Sequence, residues 1–131
     1  MSVIAIVIIA LVLVVGVLLF LRRAGVEGAP DAQVLSHLRQ AGSDLSKTHH
    51  VEFFMYFPDE EAAQRIASRL VPQGFGVRVE PAADGRSEWL VLATRPMVPQ
   101  AAELERLRGH LTALASSEGG SYDGWGAPVV Q

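Results

Sequence analysis

The apolar positions of the chain repeat in several stretches at the spacing of β-strands. Residues 51–57 are rich in β-branched and aromatic side chains, which predicts a strand. Residues 75–80 alternate between apolar and polar positions, as expected for a strand with one face in water. Residues 89–94 carry no charge and predict a third strand, and YDGWG at residues 122–126 supplies a short fourth one. The better core face of the first strand consists of alternate residues: Val51, Phe53, Met55 and Phe57.

Three other stretches have the spacing of amphipathic helices. Residues 31–41 predict a short helix, with Asp31 as its N-cap. Asp59 is the predicted N-cap of a second helix, in which apolar residues recur at helical spacing. Residues 100–117 predict a third helix. Its apolar stripe consists of leucines at i, i+3, i+7 and i+10: Leu104, Leu107, Leu111 and Leu114.

The order of elements after the leading helix is β-α-β-β-α-β. This order predicts an α+β fold of the ferredoxin-like type, an antiparallel sheet with two helices on one face. Right-handed crossovers, combined with a hairpin between the second and third strands, put the first and third strands in the middle of the sheet. The clearly alternating second strand then falls at an edge.

A long apolar run precedes these elements. Residues 3–21 contain no charge and are long enough for a helix to cross a hydrocarbon layer of about 30 Å. The alternative, a cleaved secretory signal, needs a basic start and a shorter apolar run. We therefore predict a retained single-pass transmembrane helix in the inner (cytoplasmic) membrane. Arg22 and Arg23 follow the run and favour a cytoplasmic location for the soluble part.

The predicted organisation has three parts. Residues 1–23 form a transmembrane anchor with its basic flank, residues 24–30 a linker, and residues 31–131 one α+β domain. Removing Arg22 and Arg23 from the 11 basic residues leaves 9, against all 14 acidic ones, so the soluble part carries a net negative charge. Nucleic-acid backbones are bound through Lys and Arg, so we expect no direct nucleic-acid ligand. No oligomeric state follows from the pattern.

Sequence motifs for chemistry are absent. The chain has no cysteine, no G-x-S-x-G elbow and no phosphate-binding glycine loop. His49 and His50 are adjacent, so on a strand they point to opposite faces and cannot easily share a metal. The acidic run at residues 59–61 is explained by helix capping. We predict no catalytic residue, cofactor or metal site. The competing hypothesis of a hydrolase would require a polar cluster in a deep pocket.

One sheet face is predicted to lack a helix. Phe54 and Tyr56 lie on that face of the first strand, and Trp89 is a candidate third member. Exposed aromatic side chains indicate a surface that binds another macromolecule. Alternatively, the leading helix folds across this face and covers it. An RNA-binding sheet is disfavoured because Glu52 lies on the same face and the domain is acidic.

Three blocks of sequence carry a family resemblance: GSDLSKTHHVEFFMYFPDEEAA at residues 42–63, ATRPMVPQAAELERL at residues 93–107 and YDGWG at residues 122–126. The chain resembles the regulator of ribonuclease activity B family, inhibitors of the endoribonuclease RNase E, over residues 31–130. The resemblance implies a non-catalytic domain that binds an RNase E-type ribonuclease and lowers its activity, here while tethered to the membrane. The alternative is a membrane-anchored interaction module with a different protein client.

The YDGWG motif has two interpretations. Tyr122 and Trp125 are large, amphipathic side chains of the kind enriched at binding hot spots, and Asp123 lies between them, so all three are candidate partner-binding residues. In the structural interpretation, the motif holds the last strand against the sheet edge and fastens the end of the domain.

Overall fold

A computed structural model describes residues 29–83 and 85–131. The predicted transmembrane segment, residues 3–21, therefore lies outside the described residues. Within them no helix is long and apolar enough to cross a membrane. The secondary-structure elements in chain order are α1 Ala29–Gln40, β1 His49–Phe57, α2 Glu60–Leu70, a 3-10 turn Val71–Gln73, β2 Gly76–Pro81, β3 Trp89–Met97, α3 Ala101–Ser117 and β4 Ser121–Gly126.

The four strands of the described chain form one antiparallel sheet in the order β2-β3-β1-β4. The predicted α+β class, the antiparallel sheet and the central position of the first and third strands are confirmed. Two pairs of directly opposite residues define the register of β1 with its neighbours: Phe57 faces Trp89 of β3, and Phe53 faces Trp125 of β4. Opposite residues in an antiparallel sheet share a face.

The core lies between one face of this sheet and the helices. The predicted core face of β1 is confirmed, because its four alternate apolar side chains are completely buried. Phe53 makes an edge-to-face contact with Phe75, with 5.9 Å between the ring centroids. Burial of each large apolar side chain contributes about 1.5–3 kcal/mol to folding. The helix side chains that complete the core are Ala62, Ala63, Ile66, Leu70, Leu104, Leu107, Leu111 and Ala115.

One of the two predicted N-caps is confirmed and the other is wrong. Asp59 is the N-cap of α2, as predicted, and its carboxylate accepts a hydrogen bond of 2.8 Å from the Ala62 N–H. Asp31 is not the N-cap of α1, because that helix begins at Ala29, within the predicted linker. Pro30 is tolerated there because N–H groups in a first turn have no helical partner.

Helix α1 lies on the same side of the sheet as α2 and α3. Its apolar residues Val34, Leu35 and Leu38 join the core, and Asp31 contacts Trp125 and the α3 residue Arg108. The alternative in which the leading helix covers the opposite sheet face is therefore wrong. The reason is that the apolar stripe of α1 completes the core beside β4.

Candidate docking surface

The sheet face opposite the helices presents an apolar strip; we call it the open face. Phe54 and Tyr56 of β1 lie on it, half-buried, as the sequence predicted. Their cross-strand neighbours are Leu92 and Leu90 of β3. Leu92 is only 8% exposed although no helix of the described chain lies over it, because the side chains around it shield it. The polar members of the open face are His50, Glu52, Arg78, Glu80 and Thr94.

Trp89, the predicted third aromatic member, does not lie on this face. It stands opposite Phe57 and packs, half-buried, against the core on the helix side. The sequence prediction failed because β3 is apolar on both faces, so local alternation does not indicate which residues point inward. Leu90 and Leu92 occupy the expected position instead, and only the register with β1 shows this.

The loop before β3 extends the open face beyond Tyr56. The guanidinium of Arg86 lies over the Tyr56 ring, 4.5 Å from its centroid, and also forms an ion pair of 2.7 Å with Glu88. The contact with the ring is a cation–π interaction at an exposed site, typically worth about 0.5–1 kcal/mol. One end of the aromatic strip is therefore partly covered by a charged side chain that a partner can displace.

A shallow depression lies at the other end of the strip, beside Phe54. Its volume is about 520 Å³, and its lining includes Glu52, Arg78, Leu92 and Thr94. The depression exists because Gly76 contributes no side chain: a Cβ there would lie 2.8 Å from the Thr94 hydroxyl. The depression offers both an apolar floor and charged walls, which suits an inserted side chain from a partner.

The charges around the apolar strip are predominantly acidic. Arg78 and Glu80 form an ion pair of 3.5 Å, and Arg86 is engaged with Glu88. Glu52 and the exposed Asp123 form no ion pair within residues 29–83 and 85–131. The open face therefore combines half-buried aromatic side chains with two carboxylates that form no direct ion pair among the described residues, although Arg86 is close enough to Asp123 to attract it.

The tryptophan of the YDGWG motif, Trp125, is buried inside the domain. Trp125 is 6% exposed, and its indole N–H donates a hydrogen bond of 3.2 Å to the Asp31 carboxylate. The other oxygen of that carboxylate lies 3.2 Å from Arg108 Nε. Burial raises the pKa of Asp31, and the charge of Arg108 and the bond from Trp125 oppose this effect. The burial of Trp125 supports the structural interpretation, because its ring offers almost no surface to a partner in this conformation, and partner binding through Trp125 stays a prediction.

Tyr122 also faces the helix side, where it stands opposite Met55 and packs against the core. Its hydroxyl is buried and has no hydrogen-bond partner in the described part of the chain. Burial, with the nearby charge of Asp31, raises the pKa of Tyr122. The tyrosine thus contributes packing rather than a polar contact.

Asp123 is the exposed member of the motif. The pairing of β1 with β4 shifts register between Phe54 and Met55, so Asp123 is the extra residue of a β-bulge. Gly124 has a φ of +112°, a conformation that other residues rarely adopt. The bulge presents the Asp123 carboxylate at the sheet edge next to the open face, where partner binding stays a prediction.

A buried Ser–His pair lies away from this surface. Ser43 Oγ lies 2.5 Å from His49 Nε2, and His49 Nδ1 donates to the Lys47 carbonyl at 2.8 Å. The Val130 N–H donates to the same serine, so the pair fastens the last residues to the segment before β1. His50 is exposed on the other face of β1. Among the residues described here, no group of His, Asp and Glu side chains could hold a metal ion.

Comparison with known proteins adds one finding. The family model described as regulator of ribonuclease activity B matches residues 29–127, most of the chain. No individual curated protein matches the chain.

Proposed function

Because this chain belongs to the regulator of ribonuclease activity B family, we propose that it binds an RNase E-type endoribonuclease and lowers its activity. The family is regulatory and non-catalytic. We further propose that the open face is the docking surface and that the domain acts while tethered to the membrane. The observation that carries this proposal is the half-buried aromatic strip on a sheet face that α1, α2 and α3 leave uncovered.

The composition of the open face supports a protein partner. Phe54 and Leu92 form an apolar centre, and charged side chains such as Glu52 and Arg78 surround it. An apolar centre with a polar rim is the usual anatomy of a protein–protein interface. Large aromatic side chains at such a centre contribute much of the binding energy.

The charges of the open face favour a basic segment of the ribonuclease. Glu52 and Asp123 can pair with Lys or Arg side chains, while the aliphatic stems of those residues pack on Phe54 and Tyr56. The same carboxylates would repel a nucleic-acid backbone. The chain would then compete with RNA for basic surface on the enzyme, which is a physical route to inhibition without catalysis.

Membrane tethering is the second part of the proposal. Its support is the uncharged run of residues 3–21 followed by Arg22 and Arg23, which favours a cytoplasmic domain. In this arrangement residues 1–23 are the anchor, the segment after them is a linker, and the domain occupies the rest of the chain. A tether raises the effective concentration of a partner held at the same membrane surface.

Cleavage of a fluorogenic RNA by a purified RNase E-type enzyme tests the docking surface, with the full-length chain in detergent. The wild-type chain should slow cleavage. Glu52→Lys and Phe54→Ser should weaken inhibition about tenfold or more, as expected for a hot-spot change. Glu61→Lys is the matched control, since it makes the same charge reversal on α2, on the other side of the sheet. Equal inhibition by all four proteins would refute the assignment of the open face.

Affinity purification from solubilised membranes tests the identity of the partner independently of the surface that binds it. Recovery of the ribonuclease by wild type but not by Phe54→Ser supports both the ribonuclease as the partner and the open face as its docking surface. Recovery of a different membrane protein, again lost with Phe54→Ser, would support an interaction module with another client. Membrane fractionation of the chain with and without residues 1–23 tests the anchor, and unchanged membrane association after deletion would contradict it.

A further inference from the structure

Strand β2 forms one free edge of the sheet. It pairs with β3 on one side and with no strand of the described residues on the other. The Ala82 N–H donates to the Glu88 carbonyl at 2.9 Å, in line with the register of β2 and β3. Because hydrogen-bonding direction alternates along a strand, the backbone groups of Val77, Val79 and Pro81 point outward. Pro81 has no N–H to leave unpaired there, as expected for proline on an edge strand.

We propose that this edge binds a second copy of the same chain, with the two β2 strands antiparallel about a two-fold axis at Val79. Arg78 then stands opposite Glu80 of the partner subunit, and Glu80 opposite Arg78 of the partner subunit. Opposite charges across neighbouring strands stabilise a pairing, whereas like charges disfavour it. Two antiparallel copies of the sequence VRVEP are thus complementary in charge.

The charges favour this register over those in which the two-fold axis is shifted by one residue. An axis at Arg78 would place two arginines directly opposite each other, and an axis at Glu80 would do the same with two glutamates. With the axis at Val79, each Val79 N–H can donate to the Val79 carbonyl of the partner subunit. Val77 adds a bond to the Pro81 carbonyl of the partner subunit. The two sheets then continue as one sheet of eight strands.

Helix α2 provides a second, independent fit. Arg65 and Arg69 turn one flank of the helix toward Glu118, at the end of α3. At 3.6 residues per turn, the opposite flank presents Ala67, half-buried, and Val71, which is 58% exposed. Val71 is one of two large apolar side chains that stand out as exposed in the described chain. This flank, which also carries the exposed Glu60 and Gln64, faces the β2 edge.

The spacing of the layers places the two α2 helices in contact. Helix α2 packs mainly over β2 and β3. With strands ~4.8 Å apart, it stands about one strand spacing from the proposed axis, so the two copies would be roughly 10 Å apart. Packed helices lie about 8–10 Å apart, and small side chains permit the close end of that range. The exposed Val71 side chain would be buried in this contact.

A cysteine placed at the axis tests the pairing, because the chain contains no other cysteine. Only the residue on the axis stands opposite its own copy, with Cα atoms about 5.5 Å apart, which suits a disulfide. Full-length Val79→Cys should therefore form a covalent dimer under mild oxidation. Val77→Cys is the matched control, a half-buried valine on the same face whose copies lie about 14 Å apart. Equal cross-linking of both variants, or of neither, would overturn the proposal.

Exchanging the charges of Arg78 and Glu80 tests the same register without a covalent cross-link. Arg78→Glu should weaken the dimer of the full-length chain in detergent by about tenfold, measured as mass against concentration by light scattering, because two attractive pairs become repulsive. Combining Arg78→Glu with Glu80→Arg should restore the wild-type dissociation constant. A wild-type chain that stays monomeric, or a double variant that is no better than the single one, would refute the pairing.

Discussion

Replacement of Trp125 decides between the two roles of the YDGWG motif. The ring is 6% exposed, and its N–H donates to the Asp31 carboxylate at 3.2 Å. Trp125→Ala removes a buried aromatic side chain and leaves a cavity, which costs about 3–5 kcal/mol. Trp125→Phe keeps most of the packing but removes the donor. A hydrogen bond to a charged group contributes about 1.5–3 kcal/mol, so this variant should lose roughly 2 kcal/mol.

Urea unfolding of the full-length chain in detergent, followed by circular dichroism, measures both losses. The chain has two tryptophans, so Trp89→Phe is a natural control. Trp89 is half-buried and makes no side-chain hydrogen bond among residues 29–83 and 85–131, so its loss should be smaller than that of Trp125→Phe. The packing role would be refuted if Trp125→Ala kept the wild-type unfolding midpoint while losing affinity for the ribonuclease. Parallel loss of stability and binding would agree with it.

Three further predictions concern other contacts of the domain. Gly124→Ala should cost about 1–2 kcal/mol because of its positive φ, whereas Gly126→Ala, which meets no atom within 4 Å, should be nearly neutral in the same unfolding assay. The raised pKa of Asp31 means that the folded state holds this proton more tightly than the unfolded chain. The free energy of unfolding of the wild type should therefore rise relative to that of Asp31→Asn as the pH falls from neutral toward about 3.9. A difference between the two proteins that does not change with pH would contradict a raised pKa. Ser43→Ala removes the acceptor of the Val130 N–H and should speed carboxypeptidase release of the terminal residues relative to wild type; an unchanged rate would show that the serine does not hold them.

The sequence predicts those features that local periodicity specifies. Alternation in β1 separates the core residues from Phe54 and Tyr56, because successive side chains of a strand point to opposite faces. The strand order follows from the handedness of the crossovers. The Asp59 cap is predicted because its partner lies three residues away.

Features that depend on distant partners could not be predicted in the same way. Asp31 has the usual residue type of an N-cap, yet its carboxylate is held by Trp125, 94 positions along the chain. Trp89 lies in a strand that is apolar on both faces, so its direction is set by pairing with β1 and not by its neighbours in sequence. The side on which α1 packs is likewise decided by the space beside β4.

The bond between Asp31 and Trp125 joins the first helix of the domain to its last strand, and this has a consequence for biosynthesis. The ribosome makes α1 first, and the indole that anchors its carboxylate is made 94 residues later. Until then Leu38 and its neighbours have no completed surface to pack on. A nascent chain paused before residue 125 therefore exposes apolar area that a chaperone can hold.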